Sequence, residues 1–138
     1  MAQYGPIPKR SDQRRRRNLG QAAITKIKVS EKVQPAGPDL DLSDAHPLAA
    51  DWYEALRVSG QAYLFEPSDW AQARVWAEVL SRAMKQGDRP SAVLISAWHS
   101  GAAELLTTEG ARRRVQIELE RQPERDAHKE RAEVTGSP

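Results

Sequence analysis

Apolar residues recur at helical spacing in three stretches of this chain. Leu48, Trp52 and Leu56 fall every four positions and predict a first helix over about 47–59, with Ser43 or Asp44 near its N-cap, Pro47 in its first turn and Gly60 as its stop. A second helix is expected from Pro67-Ser68-Asp69, where Ser68 can cap and Asp69 suits the positive end of the helix dipole. Trp70, Ala73, Trp76 or Ala77, Leu80 and Ala83 or Met84 form its stripe, and Gly87 ends it. Ser91 caps a third helix carrying Leu94, Trp98, Ala102 and Leu105 on one side. The short Gly87–Pro90 connection makes the second and third helices an antiparallel hairpin. Thr107 or Thr108 with Gly110 marks a break, and a fourth helix is expected over 111–122 with a narrow Ala111, Val115, Leu119 stripe. One stretch differs: Ile24-Thr25-Lys26-Ile27-Lys28-Val29 alternates over its second half, which fits a strand. A strand there needs a partner that the rest of the chain does not obviously supply. The expected fold is therefore all-α, a small helical domain with a central antiparallel hairpin and flexible N- and C-terminal tails.

The aromatic residues place the core. Seven of the eight lie between Trp52 and Trp98, and only Tyr4 lies outside. The flanks are polar and rich in proline and glycine, and bury too little apolar area to offset the entropy of ordering them. This divides the 138 residues into a flexible basic arm and linker (1–45), a helical core (46–122) and a flexible C-terminal tail (123–138). About 77 residues make a small core. Val75, Val79, Val93, Ile95 and Leu106 widen the apolar arc beyond one stripe, which predicts self-association.

Charge changes the picture more than composition does. The net charge of +2 conceals nine basic side chains against two acids in residues 1–32, a local +7, on a body of −5. Arg14-Arg15-Arg16-Arg17, with Lys9, Arg10, Lys26 and Lys28, can neutralise phosphates with little regard for base sequence. Arg112-Arg113-Arg114 is a second basic cluster; on a helix its members diverge, and Glu109 or Glu118 at four-residue spacing can pair with them. A solvated, self-paired face and a DNA contact both remain open for it.

Catalytic chemistry is not indicated. There is no cysteine, and His46, His99 and His128 lie far apart, so neither thiol catalysis, a metal site nor a cofactor is expected. No phosphate-cradling glycine loop and no membrane-length apolar run occurs. A helix-turn-helix reader fits poorly, because residues 91–106 contain no Lys or Arg to meet DNA.

Gly5-Pro6-Ile7-Pro8-Lys9-Arg10-Ser11, the arginine run with Asn18, Asp44-Ala45-His46-Pro47-Leu48, Trp52-Tyr53-Glu54-Ala55-Leu56, Glu66-Pro67-Ser68-Asp69-Trp70-Ala71, Arg89-Pro90-Ser91-Ala92 and Thr108-Glu109-Gly110-Ala111-Arg112-Arg113-Arg114-Val115 occur in that order. With them the chain resembles the small terminase subunits of tailed bacteriophages, especially those infecting actinobacteria. The resemblance implies a non-enzymatic role in viral genome packaging: a ring homo-oligomer that binds viral double-stranded DNA and recruits and regulates the large terminase subunit, an ATPase and nuclease. It implies action in the host cytoplasm during virus assembly and absence from the mature virion. Carried onto this sequence, it makes the 68–106 hairpin the oligomerisation core through Trp70, Trp76, Val79, Leu80, Leu94, Trp98 and Leu105, and the C-terminal tail a candidate contact for the large subunit. Many such subunits carry an N-terminal helix-turn-helix, which this Gly-, Pro- and Arg-rich arm does not build. A dimeric transcription regulator and a structural head-assembly or connector protein are the competing readings.

Overall fold

A computed structural model describes residues 5–13, 24–30 and 33–122. Four helices follow in order: α1 (Pro47–Arg57), α2 (Pro67–Met84), α3 (Ala92–Glu104) and the short α4 (Glu109–Arg114). Two strands frame them in sequence, β1 (Thr25–Ser30) and β2 (Ile117–Gln122). A 3-10 turn at Gly60–Leu64 joins α1 to α2.

The caps explain where the helices begin. His46 caps α1, its Nδ1 accepting from the Leu48 amide at 3.2 Å, so the cap lies closer to the helix than Ser43 or Asp44. Glu66 rather than Ser68 caps α2, and the Asp69 carboxylate in the first turn accepts from the Glu66 amide at 2.9 Å. Ser91 caps α3 as its sequence suggests, with Oγ accepting from the Leu94 amide at 3.3 Å.

The core forms where α1 and α2 cross. α2 buries the expected stripe of Trp70, Ala73, Ala77, Leu80 and Ala83, but α1 is turned by one position. Ala49, Tyr53 and Leu56 face inward, Leu48 is 52% exposed, and Trp52 packs edge-on against Trp98 at 5.7 Å. Tyr53 wins the inward place because its hydroxyl donates to the Pro38 carbonyl at 2.7 Å, which satisfies a buried polar group. Residues 36–42, part of the presumed flexible linker, lie against this core. Leu40 is buried, Arg57 Nε donates to the Ala36 carbonyl at 3.0 Å and Arg74 Nε to the Leu40 carbonyl at 3.2 Å. Gly37 has φ +69°, and a Cβ there would stand 2.4 Å from the Trp70 ring.

The strands correct the all-α expectation. β1 and β2 pair in parallel, from Thr25 opposite Ile117 to Ser30 opposite Gln122. The partner missing for the alternating segment 25–30 is the end of the expected fourth helix. α4 stops at Arg114, Gln116 takes φ +61°, and the chain leaves in extended form. From Ile117 the sequence alternates (Ile-Glu-Leu-Glu), a strand period that the spacing of Ala111, Val115 and Leu119 masks. Alternation sets Ile27, Val29, Ile117 and Leu119 on one face of the ribbon and Lys26, Lys28, Glu118 and Glu120 on the other. Gly60 admits the apolar face, since a Cβ there would come within 2.4 Å of Val29 Cγ2. Ser11 covers part of the polar face, and a parallel pair needs cover on both sides.

Candidate nucleic-acid interface

The N-terminal segment folds back over α4 and β2. Ile7 sits against Gly110, where a Cβ would meet its Cδ1 at 2.9 Å. Arg10 reaches Glu109 at 2.5 Å. Glu118, buried in β2, accepts from the Ser11 amide at 2.8 Å and the Ser11 hydroxyl at 2.9 Å. Donation from the Ser11 amide, aided by its hydroxyl and by the nearby charges of Arg10 and Lys26, holds the Glu118 carboxyl below the usual carboxylate range. The helical pairings Glu109–Arg113 and Arg114–Glu118 are thus replaced by contacts to the arm.

Arg10, Lys26, Lys28 and the α4 arginines consequently gather at one end of the molecule. Lys26 and Lys28 lie opposite Glu118 and Glu120 across the ribbon, and Lys26 pairs with Glu120 at 3.4 Å. Arg112 is half-buried and donates to the Leu106 carbonyl at 2.8 Å. Leu106 has φ +58°, which a leucine adopts at a cost of about 1 kcal/mol. The turn that requires it closes α3: Leu106 donates to Ala103 and Thr107 to Ala102. Burial lowers the Arg112 guanidinium from its ordinary value, and Arg10 adds to that while Glu109 opposes it. Arg113 is half-buried, Arg114 and Lys9 are exposed, and Arg14 to Arg17 lie outside the described residues. A cleft of about 410 Å³ opens between α4, β2 and the 3-10 turn. Arg121 lines it, and sequence reading missed that residue because it sat inside an assumed helix.

The sequence of this chain has relatives among known proteins. The family model described as phage terminase small subunit matches residues 3–137. The chain belongs to that family. It is 35% identical over 129 residues to the Gene 5 protein of Mycobacterium phage D29 and to the Gene 5 protein of Mycobacterium phage L5, in each case across 89% of this chain and 83% of the relative. No solved structure matches. Membership of the terminase small subunit family supports a role in phage DNA packaging, and the actinobacterial type of the resemblance agrees with the two mycobacteriophage relatives.

The residues assigned to oligomerisation in this terminase subunit divide. Trp70, Leu80 and Leu105 are buried within the chain's own core, so they stabilise the fold and offer no surface. Trp76, Val79, Leu94 and Trp98 are half-buried. Trp76 packs on Gly101, whose missing side chain admits the indole. Among the described residues no three His, Cys, Asp or Glu side chains are placed to hold a metal, and no helix is long and apolar enough to cross a membrane.

Proposed function

We propose that this chain binds phage double-stranded DNA through its basic N-terminal arm, as a ring of copies, and passes it to the large terminase subunit in the infected cell. The observation that carries the DNA reading is how the arm is held. Ser11 is tied to Glu118, and β1 is laddered to β2 from Thr25 onward, so the described parts of the arm are both anchored to β2. Arg10 and Lys26, in these anchored parts, share an end of the molecule with Arg112 to Arg114, and the sequence adds four consecutive arginines, Arg14 to Arg17, to the same arm. Repeated around a ring, such an end presents many phosphate-binding groups, while the acidic remainder discourages DNA elsewhere.

Support for self-association comes from α3. From Ala92 to Ala103 it carries no charged residue, yet it buries only Gly101 and Ala102, and Val93 is 78% exposed. A second depression, lined by Leu42, Ala71, Val75 and Val79 together with Arg74, Glu78 and Arg82, includes no residue of α3. Two different surfaces suit a head-to-tail contact that closes into a ring. The large subunit supplies the chemistry in this reading, and the small subunit none.

Replacing Arg14 to Arg17 by glutamine tests the DNA reading without removing β1, which deletion of residues 1–32 would do. The DNA affinity of the full chain is expected to fall steeply with salt, and the variant's log–log slope to be shallower by about 3 to 4. An unchanged slope overturns the arm's role. Sedimentation of the wild type is expected to show one large closed oligomer, and a dimer overturns the ring.

A further inference from the structure

The cleft beneath α4 holds unmet hydrogen-bonding capacity. Gln61 is 1% exposed, and its side-chain oxygen has no hydrogen-bond partner among the described residues. Arg113 lines the same cleft, and its Nε is likewise buried without a partner among them. Leaving such atoms unpaired costs free energy, so the pair marks a place where something polar belongs. Arg10, Arg112 and Arg121 stand around it, giving four guanidiniums against the carboxylates of Glu109 and Glu118. Both carboxylates are already engaged, Glu109 by Arg10 and Glu118 by Ser11. The net excess is positive.

We propose that this cleft is a preformed seat for one backbone phosphate of the DNA, gripped by Arg113 with Arg112 and Arg121 beside it. This rests on the DNA-binding reading above and names a site within it. The guanidinium fork of Arg113 matches two phosphate oxygens, which an ammonium does not. Gln61 contributes its amide: a half-turn about the terminal bond exchanges oxygen for NH₂ and presents a donor at the same place. Arg112 is held ready, because its bond to the Leu106 carbonyl fixes one nitrogen and leaves the others available. Burial and Arg10 both disfavour its charge, so an incoming anion is drawn by a guanidinium that lacks full compensation. A duplex phosphate suits the surroundings better than a lone carboxylate does. Lys26 is close enough to lower the Glu118 carboxyl, and the arm adds the Arg14 to Arg17 run, so the basic groups outnumber what one carboxylate requires.

The test compares Arg113→Lys with Arg89→Lys in the full chain, using a fluorescent duplex in an anisotropy titration. Both substitutions conserve charge. Arg113→Lys is expected to weaken binding about tenfold, and Arg89→Lys, in the exposed turn between α2 and α3, to leave it unchanged. Equal affinities for the two variants overturn the seat while leaving the arm's role standing. A wild type that fails to bind the duplex overturns the DNA reading itself. Should Arg113→Lys not fold, Arg121→Gln at the exposed rim gives a second measure, with the salt slope expected to become shallower by about 1. An unchanged slope there counts against the seat. Inorganic phosphate, at ionic strength matched with chloride, is expected to raise the melting temperature of the wild type and not of Arg113→Lys. Phosphate protection combined with unaltered duplex affinity in Arg113→Lys would make this a free-phosphate site and overturn the proposal.

Discussion

Around Tyr53 and around Glu118 the chain is held together by different means. At Tyr53, α1 and α2 are neighbours in sequence, and the contacts between them are mainly apolar and aromatic, with the Tyr53 hydroxyl bonded to the Pro38 carbonyl. Trp70 stands edge-on to Tyr53 at 6.1 Å and to Phe65 at 5.2 Å. At Glu118 the contacts are polar and span the length of the chain: Ser11 binds it from 107 residues away, and the strand beside it begins at Thr25. The first region is a small core closed by local pairing. The second is a clasp between the two ends of the chain, with a narrow apolar seam of Val29 and Leu119 on Gly60. Its contacts are far apart in sequence, so forming them carries the entropy cost of closing a long loop. It is also the region that carries Arg10, Lys26, Lys28 and Arg112 to Arg114.

The largest expected effect comes from breaking the first region. Trp70→Ala removes the ring under Gly37 and both edge-on contacts, and is expected to cost about 3–5 kcal/mol, read by denaturant unfolding. If the two regions form one cooperative unit, the amides of β1 lose their exchange protection together with those of α2. Protection that survives at Thr25 to Ser30 would mean that the clasp stands alone. Gly60→Val works from the other side. Its new side chain meets Val29 at 2.4 Å and Leu119 at 3.0 Å, and it is expected to cost about 1–3 kcal/mol. Strand protection is expected to fall while α1 and α2 keep theirs; equal loss in both would refute the division.

The same division explains what could be read from the residues. α2 and α3 were legible because Trp70, Ala73, Ala77 and Leu80, and then Leu94, Trp98, Ala102 and Leu105, keep a helical period that packing respects. α1 was legible as a helix but not in its rotation. Leu48 and Trp52 are as apolar as Ala49 and Tyr53, and the hydrogen bond from Tyr53 to Pro38 decides between the two sets. β1 shows a strand period in the sequence but β2 does not stand out, since each is only six residues long and the partner that makes it a strand lies at the opposite end of the chain. Gln116 at φ +61° also ends α4 without the glycine that normally announces such a turn. Of the site, the basic residue types were visible. The gathering of Arg10 with Arg112 and Arg113, and the presence of Arg121, depended on that unseen pairing.

Acid offers a gentler way to open the clasp than mutation. The Glu118 carboxyl is held below its ordinary value, first by the Ser11 amide, so its contribution is present above the ordinary carboxylate pKa and is lost as pH falls through the lowered one. Glu118→Gln is therefore expected to be less stable than the wild type by about 1 kcal/mol at neutral pH, and the gap to close on acidification. A constant gap across that range would show that Ser11 does not depend on the charge. The Ser11 amide shift followed by NMR tests this directly, since it should titrate with Glu118 in the wild type and remain flat in the variant.

The smallest effect concerns the rim. Lys26 and Glu120 pair at 3.4 Å with both side chains substantially exposed, so solvent and salt screen their attraction. Lys26→Gln is expected to change stability by less than about 0.5 kcal/mol in thermal melting. If the arm meets DNA, the same substitution weakens duplex binding and makes its salt slope shallower by about 1. A residue that matters little to the fold and measurably to binding separates the two roles of the clasp. A loss of stability near that of Glu118→Gln would instead make the polar face of the ribbon a structural ladder, with DNA contact confined to the arginines.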